Sequence, residues 1–324
     1  MKKNKGLTAS YLLDGNGGGQ SMQWNEINAW QPDQGVLWVH LDYAQELAQD
    51  WVINKSGLDA ITTEALLAEE TRPRAADIEG NMLVILRGVN LNPGANPEDM
   101  VSIRVWTDGA RIISSSKRPL NSVPDICESI AKGRGPSTIG DFFVNLINRL
   151  TDRTEDVIDN ISDRIDDLEE QVLTLESHKL RPAISGIRRE AIALRRYMSP
   201  QREALSHLYN ERVSWLKDID RMRLRECADQ VMRLLEELDS VRERGIVTQE
   251  ELMSRLSEHM EKRMYVLSLV AAIFLPLGFL TGLLGVNIAG IPGAEYPYAF
   301  QLFSLSLLAI VFLQIWIFKR NKWL

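Results

Sequence analysis

Cysteine is scarce in this chain. Cys127 and Cys227 are the only two in 324 residues. They lie far apart and make no CxxC pair, which excludes a disulfide framework and a cysteine-rich zinc site and fits a reducing compartment. Histidine is as thin: His40, His178, His207 and His259 are scattered, with no HxxxH spacing. The net charge is −7, so the basic surface that nucleic acid requires is missing and no such partner is expected. No apolar segment follows Lys2, Lys3 and Lys5, so no secretory signal is expected. Clustered ligands and an activated nucleophile are also wanting, which argues against an enzyme and against a tightly bound cofactor.

The most telling absence is of charge near the C-terminus. Residues 265–284 (YVLSLVAAIFLPLGFLTGLL) and 300–318 (FQLFSLSLLAIVFLQIWIF) contain no Asp, Glu, Lys, Arg or His. At about 1.5 Å per residue, each run crosses a hydrocarbon core of about 30 Å. The joint between them, residues 285–299, holds no Lys or Arg and one acid, Glu295. Cations flank the other ends: Arg255, Lys262 and Arg263 before the first run, Lys319, Arg320 and Lys322 after the second. This asymmetry places both termini in the cytoplasm and the joint outside. Trp316 and Trp323 at one end, and Tyr296 and Tyr298 at the other, suit the two membrane interfaces.

The preceding chain divides by pattern. Residues 1–135 read as a cytoplasmic α/β domain. Strands are expected at 9–13, 36–41, 82–89, 101–106 and 111–115, and helices at 44–53, 58–68 and 122–131. Asp108-Gly109 reads as a hairpin turn. The run Asp14-Gly15-Asn16-Gly17-Gly18-Gly19 lacks the Lys and the following helix of a phosphate loop. Residues 136–263 read as a helical funnel or stalk. From 144 to 175, Ile158, Ile161, Ile165, Leu168, Val172 and Leu175 alternate in threes and fours, which is a heptad seam. Its other faces are acidic, and the next helix is basic, with Arg188, Arg189, Arg195, Arg196 and Arg202. A short break at 177–182 predicts an antiparallel acidic-against-basic pair. The acidic face admits two readings, solvated surface or a concentrator of divalent cations. A third helix should start near Asp218 and pass straight into the first apolar run. Gly245 and the box Thr248-Gln249-Glu250-Glu251 signal a break there, which packing can override because one glycine costs about 1 kcal/mol.

Two spans cannot enclose an aqueous path, so conduction would need several copies around one axis. The first span suits that role. Gly278 and Gly282 form a GxxxG pair that permits close helix approach, and Pro276 can kink the helix. Without soft N or S ligands, an ion would pass largely hydrated, selected by pore width and neutral oxygens.

These residues resemble a known family. A C-terminal hairpin fed by a long helix, with Gly285-Val286-Asn287 directly after the first span, is similar to the CorA-type divalent-cation transporters, whose usual triplet is Gly-Met-Asn. The Gly-Val-Asn form resembles the zinc-transport branch, ZntB. So do Glu70-Thr71-Arg72-Pro73-Arg74, the stretch 195–201 (RRYMSPQ) and the stretch 274–282 (FLPLGFLTG). The resemblance covers nearly the whole chain. It implies an α+β cytoplasmic domain, then long helices and, over 264–324, a two-helix transmembrane hairpin. It implies a homopentamer in the bacterial inner membrane that moves Zn²⁺ as its substrate, with Cd²⁺, Ni²⁺ and Co²⁺ as further candidates. Gly285, Val286 and Asn287 would form the pore entrance. Met264, Leu267, Ala271, Leu275, Gly278 and Thr281, spaced three or four apart, would line the pore. Glu295 would attract cations at the outer mouth, and His259 is a candidate metal ligand. The departure from Gly-Met-Asn speaks against magnesium selectivity. Uptake is the favoured direction, since an interior-negative voltage draws cations in; proton coupling, efflux and a Mg²⁺/Co²⁺ channel are alternatives. A membrane-anchored coiled-coil scaffold is the rival class.

Overall fold

A computed structural model describes residues 6–174, 179–286, 291, 293 and 296–321. The chain forms two compact units, residues 1–250 and 251–324.

The first unit is built on a seven-stranded sheet of order β2-β1-β3-β7-β6-β5-β4. Its strands are β1 (Leu7–Leu13), β2 (Gly19–Ser21), β3 (Leu37–Asp42), β4 (Arg74–Ile78), β5 (Asn81–Gly88), β6 (Val101–Thr107) and β7 (Arg111–Ser116). Neighbours are antiparallel except β3 and β7. The five expected strands are all present, within two residues at each end. Two were not expected. β2 is three residues long, too short for any alternation to show. β4 (RAADI) has no β-rich run and is partly exposed at the sheet edge. It forms because a two-residue turn folds it onto β5. Glu79 and Gly80 take φ of 53° and 84°, and the pairing closes at Ile78 and Asn81, as in a type I′ hairpin. The expected turn at Gly109 also holds, at φ 86° between β6 and β7.

All seven residues of β6 are buried, so the sheet is covered on both faces. Leu37, Val39 and Leu41 of β3 join Trp51, Val52 and Leu66 in one core. These last come from α2 (Glu46–Asn54) and α3 (Ala60–Leu67), with Ile27 of α1 (Trp24–Ala29) beside them. Strand alternation sends Trp38 to the opposite face. There its ring lies 5.0 Å from that of Phe142, on α5 (Ile139–Thr174). α4 (Ser122–Ala131) begins and ends where the sequence pattern set it.

Beyond the sheet, α5 is followed by α6 (Leu180–Asn210) and α7 (Asp218–Leu284). The heptad seam is buried at Ile158, Ile161, Ile165, Leu168 and Val172; Leu175 lies outside the described residues. α6 buries Ile184, Ile187, Ala191, Leu194 and Met198, and α7 buries Val231, Leu234, Leu238 and Val241. α5 and α6 run antiparallel, but the charge pairing differs from expectation. Their described ion pair has reversed polarity, Arg164 of the acidic helix on Glu190 of the basic one, at 2.7 and 3.0 Å. Three acids of that face are engaged by α7 instead: Arg244 bridges Asp166 and Glu169, and Gln230 donates to Glu155 at 2.8 Å. Opposite-charge helices were legible, but which partner each charge meets depends on rotation about the helix axes. α7 passes unbroken through Gly245. A Cβ there would lie 2.7 Å from Arg188 Cγ, so this glycine permits close approach of α6 instead of ending the helix.

A candidate metal-ion pathway

Among the described residues no group of three His, Cys, Asp or Glu side chains is placed to hold a metal ion. His40 is fully buried and bonds Ser114 Oγ through Nδ1 at 2.9 Å and Ser116 Oγ through Nε2 at 3.3 Å. Burial pushes its pKa down to about 4, against a smaller opposing effect of Asp42. That makes it a neutral core group. The glycine-rich loop after β1 folds its amides onto its own carboxylate: Asp14 Oδ1 accepts from Asn16 N at 2.7 Å and Gly18 N at 2.9 Å. A phosphate would have to displace that aspartate.

The second unit holds the predicted pore residues. α7 and α8 (Ala299–Arg320) are both long and apolar enough to cross a membrane, and the most apolar stretch of each has no buried residue. In water this would be untenable; surfaces of this extent mark membrane or partner contact. Lys319 and Arg320 close α8, beside the C-terminal end of its dipole, where cations are favoured. On α7, Glu251–Arg255 and Glu258–Lys262 are exposed i,i+4 ion pairs at 2.6 and 2.9 Å. The Lys262 partner holds the Glu258 carboxyl below the usual range. His259 follows Glu258, within the span of the second pair, and belongs to no metal-binding group of described residues.

Half-buried positions on α7 recur at Leu269, Ile273, Leu277 and Leu280, spacings of four, four and three that mark one helix face. On α8 the matching stripe is Phe303, Leu307, Ile310, Gln314 and buried Phe318. The sequence-predicted pore residues avoid that face. Met264, Leu267 and Leu275 are 64%, 67% and 71% exposed. Gly278 and Thr281 are exposed as well, and Ala271 is intermediate. At about 100° per residue, Met264, Leu267, Ala271, Leu275 and Gly278 fall on the side of α7 turned away from its half-buried stripe, and Thr281 falls at the edge between the two, about 40° from Leu277. Thr281 Oγ1 donates back to the Leu277 and Gly278 carbonyls at 2.9 and 3.2 Å. A Cβ at Gly278 or Gly282 would meet nothing within 4 Å, so nothing in this chain demands glycine there. Gly285 differs: its N–H still bonds Thr281 O at 2.9 Å, and a Cβ would sit 2.6 Å from that oxygen. Val286 is exposed. Asn287 and Glu295, the pore-entrance amide and the outer acid, lie outside the described residues.

The sequence reading passed over Gln314. Its Nε2 donates to the Ala272 carbonyl across the hairpin at 3.3 Å. The available signal was an amide within an apolar run, but its partner could not be read without the pairing of the helices.

Comparison with known proteins identifies the family. Residues 33–320 match the family described as "CorA-like Mg2+ transporter protein". The "Divalent cation transporter CmaX" of Pseudomonas aeruginosa is 41% identical, over 99% of this chain and 97% of its own. The "Zinc transport protein ZntB" of Yersinia enterocolitica is 37% identical, over 97% and 95%. The solved full-length CmaX protein superimposes with a TM-score of 0.86 at 39% identity, covering 99% of each chain. The CorA magnesium transporter of Methanocaldococcus jannaschii shares the fold, at a TM-score of 0.82 and 18% identity, covering 98% of this chain and 99% of its own. These proteins are transporters, not enzymes, and this chain belongs to the CorA-like transporter family.

Proposed function

We propose that the chain carries Zn²⁺ into the bacterial cytoplasm through a conduit shared by five copies in the inner membrane, with both termini cytoplasmic. The exposed neutral face of α7, opposite its half-buried stripe, carries this reading. A face of Met264, Leu267, Ala271, Leu275, Gly278 and Thr281 offers no ligand that would trap a hydrated ion, which suits passage rather than storage. Gly278 and Gly282, unneeded inside the chain, allow neighbouring copies to approach. The Asn287 amides would ring the entrance beside Gly285 and Val286, and Glu295 would add carboxylates outside. The 37% identity to proteins named for zinc transport supports the cargo. The 41% identity to a protein named a divalent cation transporter favours a second reading, a broader range that takes in Mg²⁺ and Co²⁺.

Purified protein in liposomes, loaded with an ion-sensitive dye and given an interior-negative potential, distinguishes the two. Selective conduction predicts Zn²⁺ influx far above Mg²⁺ influx; comparable rates support the broader range, and no flux of any divalent cation removes transport altogether. Asn287→Ala should change the Zn²⁺/Mg²⁺ ratio or lower flux severalfold. If influx ignores an applied pH gradient, proton coupling goes.

A further inference from the structure

Proline within a helix removes one N–H, the donor for the carbonyl four residues earlier. Pro276 lies inside α7, so the carbonyl deprived of its helical partner is that of Ala272. In hydrocarbon such an orphan is costly, because no water is present to satisfy it. Gln314 Nε2 donates to that same carbonyl from α8 at 3.3 Å. Only the amide nitrogen can serve a carbonyl, so the contact also fixes which way the amide points. Along the two apolar runs, Ala272 and Gln314 both lie nearer the flank marked by Arg263 and Lys319 than the joint between the runs.

We propose that Gln314 is a positioning residue for the pore-facing helix, replacing the hydrogen bond that Pro276 abolishes and so pinning the proline-containing first span to the second. Gln314 sits on the α8 stripe, away from the predicted pore face, and acts on the conduit only through α7. Its other amide atom, Oε1, is buried without a donor among the described residues. An apolar side chain would avoid that burial, so Gln314 needs a reason to be there, and the Ala272 carbonyl provides one.

The proposal rests on the transport reading only for its consequence on flux. It is tested on the full chain by a cycle of Gln314→Leu, Pro276→Ala and the double variant. Unfolding is read by SDS titration in mixed micelles, and Zn²⁺ flux in liposomes is normalised to folded protein. Pro276→Ala restores the N–H and makes the glutamine redundant. Gln314→Leu alone should shift the unfolding equilibrium by about threefold to about twentyfold, the range of hydrogen bonds between membrane helices. It should also lower maximal flux per folded protein severalfold. Both losses should largely vanish in the Pro276→Ala background. Should Gln314→Leu fail to fold, Gln314→Asn, whose shorter arm withdraws the amide, takes its place in the cycle. Equal costs in both backgrounds overturn the hydrogen-bond claim, and unchanged flux per folded protein overturns the positioning role. If the unaltered chain moves no divalent cation, the transport reading fails while the detergent cycle still decides the bond.

Discussion

The two units use the same apolar residues under opposite rules. In the sheet-and-bundle unit Phe142 is 1% exposed; in the hairpin Phe312 is 70% exposed. Water expels the first from solvent, whereas hydrocarbon is as apolar as the second and gives it nothing to flee. The bundle is therefore held by side chains hidden from solvent. The hairpin is held by satisfied backbone, and its lateral surfaces stay open to lipid or to other copies. The contrast teaches that a bare apolar face in this molecule is a contact surface awaiting its environment, and not a packing fault.

The largest test of that contrast is a paired truncation. Phe142→Ala should cost about 3–5 kcal/mol by leaving a cavity, while Phe312→Ala, at an open site, should cost well under 1 kcal/mol. Unfolding of each purified variant in detergent measures both, and equal costs would show Phe312 to be packed in the assembly. Next comes acid. His40 has its pKa lowered to about 4 by burial, below the unfolded value of about 6.5, so the unfolded state binds the extra proton between those limits. The resulting stability is present above pH 6.5 and lost as pH falls toward 4, roughly 3 kcal/mol in all. The first unit should therefore lose stability through that window, followed by urea or heat unfolding at stepped pH. The two apolar runs of the second unit, with no His, Asp or Glu in them, should contribute no such loss. The smallest effect concerns exposed charge. Glu190→Gln breaks the two-pronged contact with Arg164. It should cost less than about 1 kcal/mol at low salt and less still in 1 M salt.

Much of this architecture was readable before any coordinates. β5, β6, β7 and α4 follow from runs and turn residues that local chemistry dictates. The start of α7 and its passage through Gly245 were also readable, since a long apolar pattern outweighs one poor helix former. β4 was not, because an edge strand of Arg, Ala, Ala, Asp and Ile has no alternation and exists through its turn and its partner. The spacing of Met264, Leu267, Ala271, Leu275 and Gly278 was legible as one helix face; that this face turns away from the half-buried stripe of α7 was not. The charge partners of α5 escaped for a related reason: a helix shows which residues share a face, but not which neighbour that face will meet.

By itself, then, the sequence determined where most helices and strands and the two apolar runs lie, because hydrophobic period, turn residues and the absence of charge act over a few neighbouring residues. Only the tertiary structure decided the sheet order, the Arg244 bridge to Asp166 and Glu169, the burial of His40, and the reach of Gln314 to Ala272. Each of those joins residues distant along the chain, and distance along the chain carries no information about proximity until the pieces have packed.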